Sequence, residues 1–302
     1  MGETWYPPRE RSAAERRARG VRVSVATGPS SSLRHEAVSF AGVVERNWYL
    51  IKRYGWWELA FFFWSLANTL TIVFIAKGIK AAGGQIDVNR ATTTLLIGAV
   101  IWSFLGLVFE FMTETVAWER WEGTIEYTFM APIRRPVHLA GVGIFAVIYG
   151  VLRSAILFVV IALMFGLHMP HANFLAAAIV LAIASISFMG IGTMTSVLPL
   201  ISPEKGAQLG FIAQGTLLVI SGVYYPVSVL PGWMQWLSTI SPATYALRGI
   251  RHAILDGAGI GSLWGDIWPL IIIGLIAFPL GVWIFKQGEI YAKKHGKLKR
   301  SG

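Results

Sequence analysis

The sequence contains no cysteine, which removes disulfides, thiolate metal sites and cysteine nucleophiles together. Charge is scarce as well. Only 14% of the 302 residues are Asp, Glu, Lys or Arg, against roughly a quarter in soluble domains. No Gly-x-x-x-x-Gly-Lys-Ser/Thr run occurs anywhere, so the chain has no loop of that kind to cradle a nucleotide's phosphates. The first forty residues hold no apolar core of signal-peptide type, and insertion is expected to rely on the first true span. Glu3, Glu10 and Glu15 argue against an organelle transit peptide. Acidic residues are the scarcer sign, 16 against 26 Lys and Arg, for a formal net charge of +10.

What the chain has in abundance is apolar residues, 55% of the total, with a mean hydropathy of +0.58. They are gathered into runs of about twenty, each sufficient to cross about 30 Å of hydrocarbon. Six such spans are expected, over residues 56–76, 92–113, 137–165, 172–198, 206–225 and 264–285. Pro199 ends the fourth and Pro279 predicts a kink in the sixth. Residues 34–54 alternate apolar and charged groups at helical spacing, which suits a helix lying in the membrane interface. Residues 226–261 are apolar, aromatic and broken by Pro226, Pro231 and Pro242. Such backbone is tolerated at membrane depth only where protein or water satisfies it.

Position decides what the positive charge means. Six arginines lie within residues 9–22 and six basic residues within 286–300, so both ends flank membrane segments and suit anionic lipid. No aromatic residues interleave with the arginines of residues 9–22 for base stacking, so no nucleic-acid partner is expected. Residues 1–33 lack the large apolar groups that repay ordering entropy and are expected to form a flexible basic tail. Residues 34–290 form the membrane domain and 291–302 a second basic tail. With both termini inside, twenty Lys and Arg lie on the inner side, against Lys77, Lys80, Arg90, Arg248 and Arg251 outside. The positive-inside rule therefore predicts two cytoplasmic termini.

A few polar residues stand out against this background. Arg153 is about sixteen residues into the third run, where a charge is a candidate pathway group or a structural hydrogen-bond donor. Glu110 and Glu114 share one helix face near the inner end of the second span. They can pair with Arg120 or Arg153, or line a vestibule attractive to cations. Tyr224 and Tyr225 are candidate pathway residues at the outer side. His168 and His171 flank Pro170 without a visible third ligand, so no metal site is expected. Trp56, Trp57, Trp233, Trp236, Trp264 and Trp268 fall near span ends, as an aromatic belt does. Ser185, Ser187, Gly190 and Gly192 predict a close helix contact along the fourth span.

Between the second and third spans, residues 119–141 read ERWEGTIEYTFMAPIRRPVHLAG. A helix of about ten residues there would carry apolar and acidic faces able to dock a soluble partner or rest on lipid. Glu119-Arg120, Gly123-Thr124, Glu126, Pro132 and the following basic pair resemble the cytoplasmic segment of type-2 exporter permeases of the ATP-binding cassette superfamily. Residues 221–257, SGVYYPVSVLPGWMQWLSTISPATYALRGIRHAILDG, resemble that family's outer region. The resemblance covers about residues 36–290. It implies an all-α membrane protein of six transmembrane helices with an N-terminal interfacial helix, a cytoplasmic coupling helix over about 119–131, and short re-entrant helices over about 226–252.

The same resemblance implies that Glu119, Arg120, Glu122, Gly123, Thr124 and Glu126 couple the chain to two separate ATPase subunits. MgATP would bind there and not on this chain. It also implies a second permease chain as partner, in a homodimer, within the plasma (inner) membrane. Cargo would be hydrophobic or amphipathic, since the spans hold almost no fixed charge. A membrane-embedded lipid-modifying enzyme is the first alternative, but the six histidines are scattered with no carboxylate pair at metal spacing. An ion-coupled carrier is the second, and it would be expected to show midplane acids or paired halves.

Overall fold

The computed structural model describes residues 33–82, 87–202 and 205–296. The expected tail over 1–33 lies outside these except for Leu33, as do the last six residues of the tail expected at 291–302. The elements are α1 Leu33–Arg53, α2 Gly55–Ala81, α3 Val88–Glu122, α4 Ile125–Met130, α5 Arg135–Phe165 and α6 Phe174–Thr195. They continue with α7 Val197–Ile201, α8 Gly206–Ile220, α9 Gly232–Ser238, α10 Pro242–Leu255 and α11 Trp264–Lys294. No strand occurs among the described residues. In hydrocarbon every backbone donor and acceptor must be paired internally, which a helix does within one segment.

Among the described residues, five helical stretches are long and apolar enough to cross a membrane: Gly55–Ile79, Val88–Glu122, Arg135–Phe165, Phe174–Ile201 and Trp264–Lys294. The fifth expected span, over 206–225, differs. Its helix, α8, has only 15 residues, about 22 Å at 1.5 Å per residue. Ser221 closes it, Gly222 turns the chain at φ +68°, and Tyr225-Pro226 leads into a 3₁₀ turn, Val227–Val229. The two short helices α9 and α10 follow.

α3 is the central post, buried along most of its length and packed by α2, α5, α6 and α10. α2 stands at the edge. Trp56, Trp57, Phe63 and Trp64 face outward, while Thr69, Val73 and Ala76 face the bundle. α6 packs chiefly on α11, then on α3 and α10. Small residues allow this approach. A Cβ on Gly190 would lie 2.5 Å from the Ala277 carbonyl carbon, and one on Gly281 would lie 2.6 Å from Gly190 O. Ser187 Oγ donates to Leu270 O at 3.0 Å across the same contact. α6 gives way at Ser196 to a last apolar turn, α7, so Pro199 sits inside a helix and does not end one. α11 likewise continues past Pro269 and Pro279.

The core has an upper part around Phe104, Phe188, Leu247 and Leu270. A lower part is built on Val43, Met112, Val116, Ile125, Leu139, Leu200 and Phe285. The lower part matters for function because it joins α1, α3, α4, α5, α7 and α11 at one end of the bundle.

Candidate functional site: the α3–α4 bend

With 35 residues, α3 is about 52 Å long, well beyond the hydrocarbon thickness of about 30 Å. Gly123 ends it at φ +76°, and the C-cap is closed by Thr124 N–H to Glu119 O at 2.8 Å and Gly123 N–H to Arg120 O at 3.2 Å. This is the backbone region where glycine carries no Cβ penalty. Gly123→Ala should therefore cost about 1–2 kcal/mol, read as a lower melting temperature of the solubilised chain. The coupling helix expected over 119–131 is thus divided: α3 continues to Glu122 and α4 is six residues long.

The division sorts the expected coupling residues into two groups. Glu119 and Arg120, 3% and 5% exposed, point into the molecule. Arg46 Nη1 of α1 donates to Glu119 Oε1 at 2.6 Å. Arg120 Nη1 donates to Leu200 O and, at 3.4 Å, to Pro199 O, carbonyls of the last turn of α7 that the helix itself leaves without partners. A buried charge needs such partners. Glu122 and Glu126 face outward, together with Trp121 and Tyr127, which are 75% and 72% exposed. Trp118 meets Trp121 edge to face, ring centroids 5.5 Å apart. Ile125 anchors α4 from beneath, fully buried in the lower core. The bend is therefore a braced ledge with an aromatic and acidic outer face.

The expected pathway residues do not form one group. Arg153 pairs with Glu58 of α2, Nη1 to Oε2 at 3.8 Å, and its Nη2 donates to Ser65 Oγ at 3.0 Å; the Tyr149 hydroxyl also donates to Glu58. Glu58 lies in the first turn of α2 and Ser65 seven residues further on, so Arg153 sits between them. Glu110 instead lines a shallow cleft between α3 and α8 with Phe109, Thr113, Glu114, Gly210, Phe211 and Gln214. Tyr224 and Tyr225 are at the opposite end of α8. Tyr225 Oη donates to Val219 O at 2.6 Å, and burial raises the Tyr224 phenol above its ordinary pKa, keeping it neutral.

Several structural residues carried no sequence signal for the roles found here. Arg251 donates to Gly222 O at 3.1 Å and to Val223 O, satisfying carbonyls where α8 breaks. Arg248 bonds buried Asp266, fixing α10 against the start of α11. At the α4 end, Arg135 and Glu289 form a buried pair at 2.9 Å. Only the basic residue in each case was visible, as one member of a loop's charge count.

A sequence model of the ABC-2 type transporter family matches residues 41–255, from within α1 to the last residue of α10. The chain belongs to this family. It is 27% identical over 162 residues to the probable multidrug ABC transporter permease YbhR of Escherichia coli K12, covering 53% of this chain and 43% of YbhR. It is 23% identical over 168 residues to the linearmycin resistance permease protein LnrN of Bacillus subtilis, covering 56% of this chain and 43% of LnrN. The inner membrane transport permease YadH of Escherichia coli K12 is 23% identical over 221 residues, which cover 72% of this chain and 84% of YadH. The matches thus span less than half the length of the first two relatives. This ABC-2 permease is an integral membrane protein whose matched region includes both the bend and the α8–α10 segment.

Proposed function

We propose that this permease is the membrane-spanning part of an ATP-driven exporter whose energy comes from two separate ATPase subunits. In this reading the bend end of the bundle and both termini are cytoplasmic, in the plasma (inner) membrane, and a second copy completes the pathway. The observation that carries the proposal is the ledge at α3–α4: its outer face is exposed aromatic and acidic, while its inner face is fixed by the buried side chains of Glu119, paired with Arg46, and Arg120. Aromatic groups that are exposed but rigidly supported suit a protein partner, and the acids add charge selectivity.

The cargo proposed is a hydrophobic or amphipathic molecule, such as a drug, lipid or glycolipid. The drug-related names of YbhR and LnrN support the class. The cleft carrying Glu110, Glu114 and Gln214 between α3 and α8 supports amphipathic molecules with a cationic group. The bound pair Arg153–Glu58 is already neutralised, which favours a structural role for Arg153 over cargo contact. A lipid-modifying enzyme is less well supported: among the described residues no group of three His, Asp or Glu is placed to hold a metal.

The test is direct. Purified with its ATPase in lipid, the permease should show vanadate-sensitive ATP hydrolysis and ATP-dependent movement of a lipophilic cation such as ethidium. Hydrolysis absent from the reconstituted pair would remove the exporter reading.

A further inference from the structure

We infer that Arg135, fixed by Glu289, is the positioning residue that makes α4, α5 and α11 move as one body, so that displacement of the ledge reaches the last span directly. This rests on the proposal that α4 docks the ATPase. The geometry is local and dense. Arg135 Nη1 donates to Thr128 O at 3.1 Å and Nη2 to Phe129 O at 2.9 Å. These carbonyls lie in the last turn of α4, which the helix itself leaves without partners. The other side of the same guanidinium takes Glu289 of α11 in a fork, Nε to Oε2 at 2.9 Å and Nη2 to Oε1 at 3.1 Å. Its plane lies 4.5 Å from the Phe129 ring centroid. Lys293 adds a bond to Glu289 Oε1 at 2.6 Å and stands 5.5 Å from the same ring.

One side chain at the start of α5 therefore holds both the end of α4 and the end of α11. A six-residue helix has almost no stability alone, so its position is set by whatever grips it. Arg135 and Glu289 side chains are only 17% and 9% exposed, and water screens them little. The rigid planar fork is also something lysine cannot reproduce. The other connections of α4 carry no charge fork. Towards α3 it is joined at the left-handed Gly123, with Thr124 N–H on Glu119 O and Ile125 in the lower core with Met112 and Val116. Towards α1, Pro132 O is near His35 Nε2 at 3.1 Å and Arg134 meets Glu36, both on the exposed side. Motion applied at α4 is thus passed to α5 and α11, while α3 can stay behind at the Gly123 joint.

The absence of cysteine makes the experiment clean. Met130→Cys and Ile290→Cys, both at exposed positions, carry spin labels on α4 and α11, attached before assembly with the ATPase in lipid nanodiscs. Spin–spin broadening is recorded without nucleotide and after trapping with ATP and vanadate, alongside ATP hydrolysis. The parent pair is expected to show the same broadening in both states. In Arg135→Ala and in the near-isosteric Glu289→Gln, broadening should fall by about half on trapping while hydrolysis stays within about twofold of the parent. Arg135→Lys should fall between. Broadening in Arg135→Ala that equals the parent's in both states, or a parent pair that separates on trapping, overturns the inference. Should Arg135→Ala fail to fold, Glu289→Gln decides by the same readings. A parent complex that hydrolyses no ATP overturns the docking reading and this inference with it. Intact hydrolysis with the wrong spin result overturns the inference alone.

Discussion

Replacing Trp121 and Tyr127 together with alanine is expected to weaken binding of the ATPase by roughly a thousandfold. Each aromatic anchor of an interface is worth about 2 kcal/mol or more, and 1.4 kcal/mol is a factor of ten. Both side chains project from the ledge, and the ring contact of Trp121 is with Trp118, itself exposed, so the solubilised chain alone should melt close to its parental temperature. Glu119→Ala should behave differently. It strands Arg46 and opens the lower core beside Val116 and Ile125, so thermal stability falls along with ATPase recovery. Co-purification and melting measured on the same preparations separate the two effects. Parental ATPase recovery with the double variant would place the docking surface elsewhere.

The second large effect is expected at Gly190. A leucine there has to displace the α11 backbone, because even its Cβ would lie 2.5 Å from Ala277 C and 2.6 Å from Phe278 N. Backbone cannot yield as a flexible side chain does, so the cost exceeds the usual 1–3 kcal/mol of overpacking, at about 3 kcal/mol or more. Little folded protein should be recovered in detergent. Gly215→Ala is the matching control, since a Cβ there meets nothing within 4 Å, and it should leave melting unchanged. Similar losses at both glycines would mean that the α6–α11 contact does not set the outcome.

How far the sequence could be read depended on whether a signal was local. Ser187, Gly190 and Gly192 marked a close contact by their size, and they do meet α11 and Met112 of α3. Gly123-Thr124 was read inside one coupling helix over 119–131, whereas Gly123 ends α3 there. Arg153 was harder. Counted from the start of its run it sat deep, but the first turns of α5 are covered by α1, with Val43 against Gly141. The run therefore begins before the apolar layer does, and the partner Glu58 lies 95 positions away in sequence. Glu119 and Arg120 were similarly opaque. Their charge suggested an exposed face, whereas Arg46, Pro199 and Leu200 meet them inside, and no periodicity announces partners contributed by two other helices. The length of α8 was misleading for a different reason: apolar character continues through Tyr225, but Gly222 turns the backbone first.

That short helix has a consequence for the surrounding lipid. At about 22 Å, α8 falls some 8 Å short of a typical hydrocarbon layer, whereas its neighbour α3 exceeds it. Where the remaining protein does not fill the gap, acyl chains beside α8 must shorten or disorder, at fractions of a kcal/mol for each ångström. The chain therefore favours thin membranes on one flank only, and its stability should respond to acyl-chain length through that flank.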